Sequence, residues 1–175
     1  MRRRIAIMAV SLAALLPTTA ATAGNPPSAS TAVAAQAAGG YEWPLAGDVR
    51  VTRWFDPPPQ PWLPGHRGVD LAGEPGAPAR AAGPGMIHFA GPVAGTGVVS
   101  INHASGLRTT YQPVTPTVSA GDPVAAGDPI GVLEAGHPGC VADACLHWGL
   151  RHGERYLDPL ALLGLGQVRL LPRPG

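Results

Sequence analysis

Charged side chains are scarce in this 175-residue chain: only 13% of its residues are charged, and the formal net charge is +1. A nucleic-acid face needs clustered basic residues to displace counterions, so no nucleic-acid partner is expected. Long apolar stretches are lacking too. The run over residues 5–16 falls short of the roughly 20 apolar residues that spanning a bilayer takes, and no later segment approaches that length, so no stable membrane span is expected. Cysteine occurs only at positions 140 and 145. Cys-x-x-x-x-Cys is not the Cys-x-x-Cys spacing that tunes a redox-active thiol, which excludes a disulfide oxidoreductase.

Glycine and proline, by contrast, are abundant, at 24 and 21 residues. They are too dispersed for a repeat, and they break the chain into segments too short for long helices. The expected fold class is all-β, an antiparallel β-sheet core with a groove. Residues 49–54, 85–90, 97–102, 108–112, 129–133 and 146–151 read as strands, each bounded by Gly, Pro or Asp. His103-Ala104-Ser105-Gly106 reads as a hairpin loop in which Gly106 supplies a positive φ. Residues 160–163, after Asp158-Pro159, read as a terminal helical turn.

Three segments follow from composition. Arg2, Arg3 and Arg4 precede the apolar run and the small-residue site Ala21-Thr22-Ala23, so residues 1–23 read as a cleaved secretory signal peptide. Residues 24–40 carry no charge and too little apolar surface to offset their ordering entropy, which gives a flexible linker. Residues 41–175 are of a size for one compact domain. The mature chain is expected to be secreted, extracellular or in the cell envelope, the periplasm included.

The chemistry concentrates at His66, Asp70 and His147. Two imidazoles and one carboxylate fill three of four tetrahedral zinc positions and leave one for water, the arrangement of a catalytic rather than a structural site. Spacing tests this reading. In a straight strand, positions 66 and 70 lie about 13 Å apart, whereas metal bonds of about 2.0 to 2.2 Å demand a bend. Gly68 is placed to permit it, and Pro64-Gly65 before and Gly73 and Pro75 after argue against a helix.

Gly65-His66-Arg67-Gly68-Val69-Asp70-Leu71-Ala72, then Gly76-Ala77-Pro78-Ala79-Arg80-Ala81, then Gly85-Met86-Ile87 through Ala90-Gly91, resembles the lysostaphin-type (LytM-domain) zinc metalloendopeptidases of peptidoglycan. Val98-Val99-Ser100-Ile101-Asn102-His103 through Gly106-Leu107-Arg108-Thr109-Thr110-Tyr111, Gly127-Asp128-Pro129-Ile130-Gly131 and Leu146-His147-Trp148-Gly149-Leu150 look like the same family's successive strands. The resemblance covers about residues 43–163. It implies a β-sheet fold with a substrate groove, one zinc ion on His66, Asp70 and His147, and hydrolysis of amides in peptide stems or cross-bridges of the cell wall.

The family usually carries two further histidines around the zinc water, and both are replaced. Its Tyr-x-His position falls on Tyr111-Gln112-Pro113, and its His-x-His motif reads Cys145-Leu146-His147. Proline neither gives nor accepts a side-chain proton, and losing an acid-base group costs about 10²- to 10⁴-fold in rate. Titratable groups near the motif strands are His103, Glu134, His137 and His152. His103, at a hairpin end, reads first as a loop hydrogen-bonding residue, and His137 first as a solvated loop histidine; both stand as catalytic candidates. Three readings of Cys145 are open: a disulfide with Cys140, favoured in an oxidising compartment; a fourth zinc ligand that closes the site; or a proton donor. Among the aromatics Trp43, Trp54, Phe55, Trp62 and Trp148, core packing is the default. Trp62, in a proline-rich segment just before His66, and Trp148 are candidates for the substrate groove.

Two functions remain. One is a secreted zinc metalloendopeptidase of peptidoglycan with altered proton-transfer groups. The other is a non-enzymatic member that binds peptidoglycan or regulates another cell-wall hydrolase.

Overall fold

The computed structural model describes residues 40–60 and 62–165. The segments expected to be a signal peptide (1–23) and, but for residue 40, a linker (24–40) lie outside the described residues, as do residues 166–175. Within them the chain forms eleven strands: β1 (Val51–Arg53), β2 (Gly68–Gly73), β3 (Pro78–Arg80), β4 (Gly85–Val93), β5 (Thr96–Asn102), β6 (Leu107–Gln112), β7 (Val114–Pro116), β8 (Pro123–Val124), β9 (Pro129–Leu133), β10 (Ala144–His152) and β11 (Arg155–Leu157). A 3₁₀ turn, Pro159–Leu163, follows, with the Asp158 carboxylate accepting from the Leu160 amide and Gly164 in the left-handed region. The all-β expectation holds, including the terminal turn.

Eight strands form one antiparallel sheet in the order β1-β2-β10-β6-β5-β4-β8, with β11 paired to β10; β3-β9-β7 form a second, smaller antiparallel sheet. Residues 129–133 are a strand with the expected limits. Strand β2 and the short strands β3, β7, β8 and β11 lie outside the expected set; the short ones span only two or three residues and show no periodicity to read. The loop before β6 turns as expected, with Gly106 at φ 79°.

The core lies on one face of the large sheet. Val69 and Leu71 of β2 sit opposite Trp148 and Leu146 of β10, and all four are fully buried together with Ile101, Tyr111, Ile130 and Leu133. Side chains alternate along a strand, so Asp70 and His147 point to the other face. Trp148 therefore belongs to the core, beside Trp43 with ring centroids 6.3 Å apart. The expectation that it lines the groove is corrected: the residue after a groove-facing ligand faces the interior. Trp54, expected in the core, is instead 52% exposed.

The core also explains His103. Its Nδ1–H donates to the Pro84 carbonyl (2.8 Å), so Nε2 accepts from the Thr109 hydroxyl (2.8 Å). Thr109 in turn accepts from the Tyr111 hydroxyl (2.9 Å), whose oxygen accepts from the Ala82 amide (2.9 Å). Every donor in this buried chain meets an acceptor, as burial requires. Burial lowers the His103 pKa, the bond to Pro84 opposing it, and pushes the Tyr111 hydroxyl up to about 12. Both nitrogens of His103 are spent on structure, which corrects its candidacy as a catalytic group.

Candidate metal centre

Ladder register builds the centre. Asp70 lies directly across from His147, His147 lies across from Gln112 on its other side, and Arg53 of β1 flanks Asp70. One row across the sheet therefore reads Arg53, Asp70, His147, Gln112. His66 precedes β2 in an isolated bridge with Asp56, its amide donating to the Asp56 carbonyl at 2.7 Å and its carbonyl accepting from the Asp56 amide at 2.9 Å. That anchor, outside the β2–β10 ladder, turns the His66 ring back over Asp70.

The three donor atoms converge. His66 Nε2 is 3.0 Å from Asp70 Oδ1, His147 Nδ1 is 2.8 Å from the same oxygen, and the two nitrogens are 3.1 Å apart. Ligands on a tetrahedral zinc with bonds of about 2.1 Å sit about 3.4 Å from one another, so a small outward movement admits an ion. His66, Asp70 and His147 are the group whose donor atoms all lie within 4.8 Å of one another among the described residues.

The chemistry of the set fits a cation. His66 Nδ1–H donates to the Trp54 carbonyl at 2.7 Å, which fixes the tautomer and turns the Nε2 lone pair toward the other two donors, as an outer partner does for a ligating histidine. Asp70 is fully buried and its Oδ2 has no hydrogen-bond partner; an orphaned buried carboxylate oxygen is costly unless a cation or donor meets it. Burial by itself raises the Asp70 carboxyl, but the close imidazoles of His137, His147 and His66 more than reverse this and hold its pKa well below the ordinary carboxylate value.

Close approach at the floor of the site requires glycine. A Cβ on Gly68 would lie 2.5 Å from the Trp148 carbonyl oxygen and 2.7 Å from His147 Nε2. The role of Gly68 is thus to leave room for the His147 ring. The bend lies just before it, where His66 leaves the β2–β10 ladder.

His137 is the residue whose place sequence alone does not give. It follows β9, in the loop leading to β10, with Nε2 3.2 Å from Asp70 Oδ1 and its side chain mostly buried. The alignment is too poor for a good hydrogen bond, and the ring lies 5.6 Å from that of His147. The contact with Asp70 raises the His137 pKa, burial opposing. The solvated-loop reading is therefore corrected. His137 also shares a cavity with Gln112, Pro113 and Glu134, so an imidazole from another loop stands beside the position where Pro113 has none. The Cys140–Cys145 disulfide ties this loop to the start of β10 and removes the thiolate-ligand and proton-donor readings of Cys145. His152, at the far end of β10, is exposed and lies across from Leu107 and Arg155. Glu134 accepts from the Thr115 hydroxyl at 2.6 Å.

A groove of about 370 Å³ opens over the centre, lined by His66, Arg67, Gln112, His137, His147 and Tyr156 among others. Trp62, 78% exposed, stands in the segment just before His66.

The description of peptidase family M23 matches residues 64–159, more than half of the chain and the whole span from His66 to His147. The chain belongs to peptidase family M23. It is 53% identical over 134 residues to an uncharacterised protein of Mycobacterium tuberculosis, a match covering 74% of this chain and 54% of that protein. It is 33% identical over 98 residues to a DD-carboxypeptidase/endopeptidase of Neisseria meningitidis, covering 55% of this chain and 22% of that protein. The chain thus spans about half the length of the first of these curated relatives, and less of the second. The catalytic domain of the antimicrobial peptidase lysostaphin from Staphylococcus simulans superposes with a TM-score of 0.56 at 25% identity, covering 66% of this chain and 92% of that domain. The lysostaphin-type resemblance of the motifs is met by both family and fold.

Proposed function

We propose that the chain is an exported, zinc-dependent endopeptidase that hydrolyses peptide cross-links of bacterial cell-wall peptidoglycan, working outside the membrane or in the envelope. The observation that carries this reading is the convergence of His66 Nε2, Asp70 Oδ1 and His147 Nδ1 within 3.1 Å of one another below an open groove. Two imidazoles and a carboxylate leave a fourth position for chemistry. Zinc bound there polarises an amide carbonyl and acidifies a water molecule. The names of the lysostaphin and Neisseria relatives, a peptidase and a DD-carboxypeptidase/endopeptidase, support peptide-bond hydrolysis.

The chain's own residues do the rest. The Trp54 carbonyl holds the His66 ring in place. The groove orients an extended peptide. His137 presents its imidazole beside Asp70, where Pro113 and the disulfide-bonded Cys145 offer none, and donates a hydrogen bond to charge developing on the scissile carbonyl.

Loss of both usual histidines favours a second reading, a non-catalytic member that binds peptidoglycan or regulates another wall hydrolase. The deciding experiment measures new amines released from purified cell wall by the mature protein with zinc, beside His137→Ala, His147→Ala and chelated controls. The enzyme reading expects metal-dependent release, abolished in His147→Ala and lowered about 10²- to 10⁴-fold in His137→Ala. Absence of metal-dependent release leaves the binder.

A further inference from the structure

We propose that Arg67, Tyr156 and Arg151 form a carboxylate-reading subsite beside the metal centre, so that the preferred substrate is a peptide with a free carboxylate near the scissile amide. This rests on the peptidase reading and narrows its substrate class. The groove over the centre is lined by both arginines and Tyr156, by His66, His137 and His147, and by no acidic residue. The Asp70 carboxylate lies beneath the three histidines, and a divalent ion held there would outweigh its single negative charge. Such a groove concentrates anions.

The two guanidiniums are organised before any ligand arrives. Arg67, next to His66, places Cζ 5.7 Å from the centre of the Tyr156 ring, and Arg151 places its own 5.2 Å from it. Cation–π contact orients a guanidinium, and orientation lowers the entropy lost on binding a carboxylate. Arg67 Nη2 donates to the Leu63 carbonyl at 3.1 Å. Arg151 pairs through Nη2 with Glu154 at 3.0 Å, but Glu154 is 98% exposed, and such surface pairs give way easily. Arg151 Nε, in contrast, is buried with no hydrogen-bond partner, a donor that awaits an acceptor.

Position sets the reach. Arg151 stands four residues after His147 on β10, so both side chains leave the same face of the strand, with Cα atoms about 13 Å apart. Its long side chain closes part of that distance. A substrate carboxylate read there therefore lies about two to three residues of extended chain from the amide at the metal. A second cavity of about 270 Å³, lined by Pro57, Pro58, Pro59, Glu154 and Arg155, shares Arg67 and Tyr156 with the first.

The test uses matched peptides that differ only in whether a carboxylate two or three residues from the cleavable amide is free or capped as carboxamide. One pair carries it on a side chain and one at the chain terminus. The zinc-loaded protein should show kcat/KM about 10- to 100-fold higher for the free acid of one pair, mostly through KM, with the advantage shrinking at high salt. In Arg151→Gln and Arg67→Gln, checked for native thermal unfolding, the ratio should collapse toward one. Calorimetric binding of the same pairs to His147→Ala protein gives a readout free of turnover. Equal cleavage of acid and amide overturns the subsite and leaves the peptidase standing. If nothing is cleaved, the peptidase reading fails, and the calorimetric ratio alone decides whether the arginines read a carboxylate.

Discussion

Gly68→Ala joins the backbone geometry to the metal site in one methyl group. The added Cβ would lie 2.5 Å from the Trp148 carbonyl oxygen and 2.7 Å from His147 Nε2, whereas ordinary contact begins near 3.4 Å. Strand β2 must move by close to 1 Å from β10 to clear the Trp148 carbonyl, and the His147 ring must shift with it or swing away from Asp70. The first strains the ladder from Gly68↔Gly149 to Asp70↔His147; the second opens the 2.8 Å contact between His147 Nδ1 and Asp70 Oδ1. Overpacking of this kind costs about 1–3 kcal/mol, and disturbing a ligand's support lowers metal affinity about 10- to 100-fold. Competition against a chromophoric chelator measures the zinc affinity, and thermal unfolding of metal-free protein measures the strain. If Gly68→Ala binds zinc like the parent and unfolds at the same temperature, glycine is not what lets the His147 ring reach the site.

Two further outcomes test the frame around it. His103 has a folded pKa below 6.5 because it is buried, so the unfolded chain binds more protons; its contribution is whole above pH 6.5 and is lost as pH falls toward the folded pKa. Denaturant unfolding between pH 8 and pH 5 should show that loss in the parent and a smaller one in His103→Gln, with zinc affinity unchanged. Replacing both Cys140 and Cys145 by serine removes a very short cross-linked loop and should cost about 2 kcal/mol of stability, yet leave zinc bound, since the three ligands are held by the ladder and the Asp56 bridge; loss of zinc binding would show that the disulfide loop builds the centre.

Much of this was legible in the residues themselves. Strand β9 and the turn ending at Gly106 carry local signals, flanking glycine and proline and a positive φ, and such signals survive folding. His66, Asp70 and His147 are legible because donor type and spacing state their chemistry. Trp148 follows from alternation once His147 is placed on the groove face. His137 is different, since nothing periodic relates it to Asp70. Its signal is covalent: three residues before Cys140, it is drawn to the ligand strand when Cys140 bonds Cys145. Arg151 and Tyr156 meet through the β10–β11 pairing and Arg67 joins them through the β2–β10 ladder that begins at Gly68, and β11 is too short to announce itself.

The most direct measurement is the zinc content of the purified mature protein by elemental analysis, beside His66→Ala, Asp70→Ala and His147→Ala. The account predicts one zinc per chain in the parent and loss of it in each variant that still folds. No zinc in the parent under zinc-replete conditions, or zinc retained in all three variants, would contradict it.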